Sequence, residues 1–89
     1  MHVMVEISLY PLVNEFIPPI QAFIDRLNSY SELTVATSAT STQVTGDYQR
    51  VIQIMGVEME KTHREVGQAV FVTKFLNFDA MQARSTPDA

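Results

Sequence analysis

Ser41-Thr42-Gln43-Val44-Thr45-Gly46-Asp47-Tyr48 reads as a polar strand that runs through a glycine into the start of a long amphipathic helix. A strand in a small domain alternates apolar and polar residues, and its apolar side feeds the core. Here hydroxyls and an amide fill most positions, and a carboxylate sits where the helix begins. Either the sheet turns one polar face to water, or these groups hold a ligand.

Working outward, residues 33–39 suggest a preceding strand that joins 41–46 through a hairpin near Ala39-Thr40. Neither Asn-Gly nor Asp-Gly marks that turn. Asp47 is placed to cap the following helix or to sit in its first turn, where a negative charge suits the dipole. Tyr48, Val51, Ile52, Met55, Met59 and Val66 supply the helix with an apolar stripe. Gly56 interrupts it in a way that suggests close helix packing, and Gly67 is a C-terminal stop. Residues 68–77 form a last strand, with Ala69, Phe71, Thr73 and Phe75 on one face and Val70, Val72, Lys74 and Leu76 on the other. Because Lys74 does not belong in a core, the Phe71/Phe75 face is expected to point inward.

Toward the N-terminus, residues 2–10 alternate cleanly. Val3, Val5, Ile7 and Leu9 share one face, while Met4, Glu6, Ser8 and Tyr10 share the other, and Pro11 ends the strand. Pro18-Pro19 opens a helix in whose first turn proline is tolerated. Ile20, Phe23, Ile24 and Leu27 follow at i, i+3, i+4, i+7, and Asn28-Ser29-Tyr30-Ser31 closes the helix.

The order β-α-β-β-α-β predicts an α+β ferredoxin-like sandwich over residues 1–78, with a tail at 79–89. Two helices cover one face of a four-stranded antiparallel sheet of order 4-1-3-2. Strands one and three are then central neighbours, so Glu6 and Ser8 lie beside Ser41, Gln43 and Thr45. The helix-free face would expose Met4, Val70, Val72 and Leu76 as an apolar patch around this polar centre, a mark of association. Lys74 is one partner for Glu6; a cationic or amino-bearing ligand is another.

Composition bounds the function. The chain has 89 residues, 46% apolar and 18% charged, a globular balance that fits one domain. It has no cysteine, and His2 and His63 are far apart with no metal-binding spacing, so neither a disulfide framework nor a metal site is expected. The net charge is −4, and the six basic residues do not cluster, which argues against nucleic acid and anionic membranes. Met1 to Glu6 reads as a strand rather than a signal peptide, and no apolar run approaches the length of a membrane span. The expected location is the cytoplasm.

Glu6-Ile7-Ser8-Leu9-Tyr10-Pro11-Leu12 and the opening stretch, taken with Ile17-Pro18-Pro19-Ile20 and Ala69-Val70-Phe71-Val72-Thr73-Lys74-Phe75, resemble the YkoF-like thiamine-binding family. The resemblance covers nearly all of residues 3–77. It implies a ferredoxin-like fold, oligomerisation, and binding of thiamine or its hydroxymethylpyrimidine precursor, without catalysis and without a cofactor. The protein that gives the family its name resembles two such domains in tandem, so a single domain would pair with another copy. The partner implied is therefore the chain itself, as a homodimer or homotetramer through the open sheet face.

An aminopyrimidine matches hydroxyl, amide and carboxylate partners, and aromatic rings stack on it. The candidate ligand-binding residues are Glu6, Ser8, Tyr10, Ser41, Thr42, Gln43, Asp47 and Tyr48. Each has a plainer role open to it: Asp47 as a helix cap, Tyr48 as a core-edge aromatic, Tyr10 as a hinge before Pro11, and Ser41 and Thr42 as hairpin residues. Two other readings stand beside the binding module. One is a structural homo-oligomer without a metabolite. The other is a small enzyme built on His63, although no nucleophile–base pair accompanies that residue.

Overall fold

A computed structural model describes residues 1–77. The expected tail at 79–89 lies outside the described residues. The elements are β1 (His2–Pro11), α1 (Ile17–Asn28), β2 (Thr34–Thr37), β3 (Thr42–Asp47), α2 (Tyr48–Val66) and β4 (Ala69–Leu76). All strand pairs are antiparallel, in the order β2-β3-β1-β4. This is the 4-1-3-2 order of an α+β ferredoxin-like sandwich.

The alternation in β1 works as the pattern implies. Val3, Val5 and Ile7 are buried against Phe23 and Leu27 of α1 and Val51, Ile54 and Met55 of α2, with Val44 from β3 beside them. Gly46 lets β3 pass close to its neighbours. A Cβ there would come within 3.2 Å of both Leu33 and Val51. Gly67 ends α2 with φ of 90°, the left-handed region that favours glycine. Two prolines in the first turn preset the start of α1, which has no side-chain cap.

Four expectations need correction. Met4 is not part of an exposed patch. It lies on the central strand between Thr45 and Leu76 and is only 2% exposed, so the open face keeps Val70 and Val72 as its exposed aliphatics. Phe71 packs on the core, but Phe75, on the same face, is 45% exposed. On α2, Ile52 turns outward and Ile54 takes its place, because the buried stripe runs Val51, Ile54, Met55, Glu58, Thr62 at helical spacing. Gly56 meets nothing within 4 Å, so no close helix approach depends on it.

The two polar residues in that stripe are held from α1. Arg26 reaches across the helix pair, with Nε 2.5 Å from Glu58 Oε1, and Nη2 donates to Thr62 Oγ1 at 2.7 Å and to the Glu58 carbonyl at 3.1 Å. The Tyr30 hydroxyl donates to Glu58 Oε2 at 2.6 Å. Burial raises the Glu58 carboxyl, but the hydrogen bonds from Tyr30 and Arg26 and the nearby positive charge outweigh it and hold the group below its ordinary value. The Tyr30 phenol is raised, first by its hydrogen bond to Glu58. This network fixes α1 to α2 and so fixes one wall of the site described next.

Candidate functional site

The phase of the sheet hydrogen bonds locates the site. In an antiparallel ladder, consecutive residues of a central strand bond alternately to the two neighbours. Leu12 donates to the Gln68 carbonyl at 3.0 Å, which extends the β1–β4 register by one rung. Tyr48 donates to the Met1 carbonyl at 2.8 Å, which extends the β1–β3 register at its other end. Even-numbered residues of β1 therefore bond to β4, and odd-numbered residues bond to β3.

The last β3 rung is Ile7↔Thr42. The next would join Leu9 to Thr40, but the chain turns there instead. Ser38 donates its N–H to the Ser41 carbonyl at 2.9 Å and closes a two-residue loop at Ala39-Thr40. Neither loop residue has a positive φ, although the favoured hairpin turns require one. The Ser38 hydroxyl compensates, accepting from the Thr40 and Ser41 N–H groups at 3.3 Å. The Thr40 carbonyl accepts from Ser8 Oγ at 3.3 Å. As a result Leu9 faces the hairpin with its N–H and C=O unpaired among the described residues.

That open rung lies in a cleft of about 540 Å³, within the usual range for small-ligand sites. The end of β1 and the hairpin 37–42 form its polar sides, with Ser8, Tyr10, Ser38, Thr40, Ser41 and Thr42. Leu12, Phe16, Ile20, Phe23 and Ile24, from the loop before α1 and from α1 itself, form its apolar wall. None of the described residues lining it is charged. Thr42 is buried and its Oγ1 lies 3.4 Å from Thr37 Oγ1. The hydroxyls of Ser41 and Tyr10 make no hydrogen bond among the described residues, whereas Ser41 uses its backbone to close the turn.

The eight candidate residues thus divide. Ser8, Tyr10, Ser41 and Thr42 come together in the cleft. Glu6 and Gln43 are paired rungs on the open sheet face, where Lys74 Nζ lies 3.4 Å from Glu6 Oε1. Asp47 and Tyr48 stand at the far end of β3. A strand rises about 3.3 Å per residue, which separates Asp47 from Ser41 by roughly 20 Å. Asp47 Oδ2 accepts from the Arg50 N–H at 3.2 Å and caps α2, and Tyr48 packs against the core. A smaller cavity of about 240 Å³ beside Tyr48 is lined by Val3, Phe75, Leu76 and Asn77 and takes in none of the hydroxyl cluster. His63 is a surface residue whose ring meets Phe71 edge-on, 5.2 Å between centroids, and bonds to the Ala69 carbonyl at 3.1 Å. Among the described residues no group of three potential metal ligands comes together, and no helix is long and apolar enough to cross a membrane.

Sequence reasoning missed the Leu9 backbone and the apolar wall. The wall did leave a signal: Leu12, Val13 and Phe16 are large apolar residues in a connecting loop, and all are exposed. The Leu9 rung left none, since it depends on where the hairpin leaves the ladder.

Solved structures share this fold. Protein SP2199 from Streptococcus pneumoniae aligns with a TM-score of 0.83 at 16% identity over 100% of both chains. A candidate thiamine biosynthesis/salvage protein (TM0486) from Thermotoga maritima aligns with a TM-score of 0.78 at 16% identity, over 91% of this chain and 87% of that one. Hypothetical protein MJ1052 from Methanocaldococcus jannascii gives a TM-score of 0.78 at 19% identity, over 99% and 98%. No protein-family model matches the chain. No curated protein matches it either. The chain is similar to these proteins in fold, a ferredoxin-like α+β sandwich.

Proposed function

We propose that this protein is a non-catalytic binder of a small planar heteroaromatic molecule, and that its cleft takes a hydroxymethylpyrimidine in preference to thiamine. The unpaired Leu9 rung carries the reading. An aminopyrimidine places an exocyclic N–H donor beside a ring-nitrogen acceptor, the complement of a strand residue that offers one C=O and one N–H on the same side. The free hydroxyls of Ser41 and Tyr10 supply further polar contacts, and Phe16 and Ile24 supply the apolar wall. The thiamine-related neighbour supports the ligand class.

Charge decides between the two ligands. The thiazolium of thiamine is a cation, and desolvating it without a counter-charge is costly. Glu6 is engaged with Lys74 and Asp47 with the α2 cap, so neither carboxylate serves the cleft. The uncharged precursor avoids that cost.

Isothermal titration of the full chain tests this reading. Hydroxymethylpyrimidine should give saturable heat, and thiamine should bind about tenfold or more weakly. The absence of both heat and thermal shift at millimolar concentrations of either ligand would remove the proposal.

A further inference from the structure

We propose that Thr40 is a built-in competitor for the cleft: its backbone can close on Leu9 as a final rung of the β1–β3 ladder, and two serine hydroxyls hold it away. The identity of the ligand rests on the reading above, whereas the competition belongs to the chain alone. The β1–β3 register runs from His2↔Asp47 to Ile7↔Thr42. Continued by two residues, it sets Leu9 opposite Thr40. The ladder phase makes this a hydrogen-bonded rung, on which two residues exchange both N–H···O bonds. Thr40 therefore offers Leu9 one N–H donor and one C=O acceptor, the same complement that an aminopyrimidine offers.

Serine side chains take both of these groups instead. The Thr40 N–H donates to Ser38 Oγ at 3.3 Å, and the Thr40 C=O accepts from Ser8 Oγ at 3.3 Å. Ser38 acts from within the hairpin, where its hydroxyl also accepts from the Ser41 N–H and donates to the Ser41 carbonyl. Ser8 acts from across the cleft, next to Leu9 on β1. The Thr40 carbonyl is thus already turned toward β1, and meets a hydroxyl there in place of the Leu9 N–H.

The holding bonds are long. Hydroxyl–oxygen bonds centre near about 2.8 Å and amide–oxygen bonds near about 2.9 Å. The closed rung would make two ordinary backbone bonds in their place. Ala39 and Thr40 are both exposed, so the hairpin tip is held by these bonds rather than by packing. The open and closed arrangements are therefore close in free energy, and each serine hydroxyl tips the balance toward the open one. A ligand binds only the open fraction, so its apparent dissociation constant is the intrinsic one divided by that fraction. Ser8 and Ser38 are positioning residues that set the affinity through Thr40.

Hydrogen exchange on the full chain tests this without any ligand. In the native chain the Leu9 amide should exchange freely, while the Ile7 amide, bonded to β3, and the Tyr10 amide, bonded to β4, are protected. Ser8→Ala releases the Thr40 carbonyl and should slow Leu9 exchange about tenfold, roughly the worth of one hydrogen bond. Titration calorimetry with hydroxymethylpyrimidine should show the affinity of the same variant weakened by that same factor, because both quantities report the open fraction. Ser8→Thr keeps the hydroxyl and should restore both. Ser38→Ala should move both in the same direction as Ser8→Ala. Leu9 exchange that is unchanged or faster in Ser8→Ala overturns the proposal, as does a native Leu9 amide protected as well as that of Ile7, or slowed exchange with no loss of affinity. If the native chain gives no heat with hydroxymethylpyrimidine, the ligand reading falls, and the exchange result still decides whether Thr40 closes on Leu9.

Discussion

At the Asp47 end of β3 the carboxylate and the backbone are used by the protein itself. The Asp47 carboxylate caps α2, Tyr48 donates to the Met1 carbonyl, and Gly46 gives up its side chain so that Leu33 and Val51 can close over the strand. At the Ser41 end the same strand leaves the ladder one rung early. Among the described residues Leu9 keeps an unpaired N–H and C=O, and the Ser41 and Tyr10 hydroxyls face a cleft walled by α1. The difference teaches that a polar residue in a strand marks a site only where local bonding is incomplete. One end is polar because a helix starts there; at the other, the proposed ligand would complete the bonding.

Perturbing the α1 wall should have the largest effect. Arg26→Ala leaves Glu58, whose side chain is 8% exposed, without its ion pair, and should cost about 3 kcal/mol in urea unfolding. It should weaken ligand binding as well, because α1 loses its anchor. The Glu58 carboxyl is depressed in the folded state, so the unfolded state binds its proton more readily. The contribution is complete above the ordinary carboxylate value of 4.5 and is lost as pH falls through the lower folded value. Glu58→Gln should flatten this acid limb in unfolding curves recorded from pH 7 downward.

The next effect belongs to the closed end. Gly46→Val drives methyl groups into Leu33 and Val51 and should cost about 2 kcal/mol by thermal or urea melting. Asp47→Ala removes the cap and should cost about 1 kcal/mol, with the affinity for hydroxymethylpyrimidine unchanged. The smallest change in stability comes at the open end. Ser41→Ala should alter it by less than about 0.5 kcal/mol. Titration calorimetry on the same variant should nonetheless show binding weakened about fivefold, the loss of one hydrogen bond. If Asp47→Ala weakens binding while Ser41→Ala does not, the comparison between the two ends is reversed.

The fold was legible because its signals are local and mutually consistent. Alternation in β1, the double proline before α1, the Asp47 cap and Gly67 each set one element, and together they leave one topology. Helix phase was less legible: Ile52 and Ile54 are equally apolar, and Ile54 turns inward because it shares a face with Val51, Met55, Glu58 and Thr62. The lining of the cleft was half legible. Hydroxyl patterning pointed to Ser8, Ser41 and Thr42 and the stacking argument to Tyr10, and these four share the cleft. Adjacency in sequence then drew in Asp47 and Tyr48, which an extended strand carries to the opposite edge. Met4 was misjudged because alternation gives the face of a strand and not what lies beside it. A free backbone rung is invisible to any side-chain pattern, since every residue carries the same amide.

The central claim is that Leu9 meets the ligand. It is tested most directly by recording amide resonances of the ¹⁵N-labelled full chain during titration with hydroxymethylpyrimidine. The account expects the largest saturable shifts at Leu9 and at the hairpin residues Thr40 and Ser41, with Asp47 and Tyr48 unmoved. Shifts centred on Asp47 and Tyr48, or no saturable shift at Leu9, would contradict it.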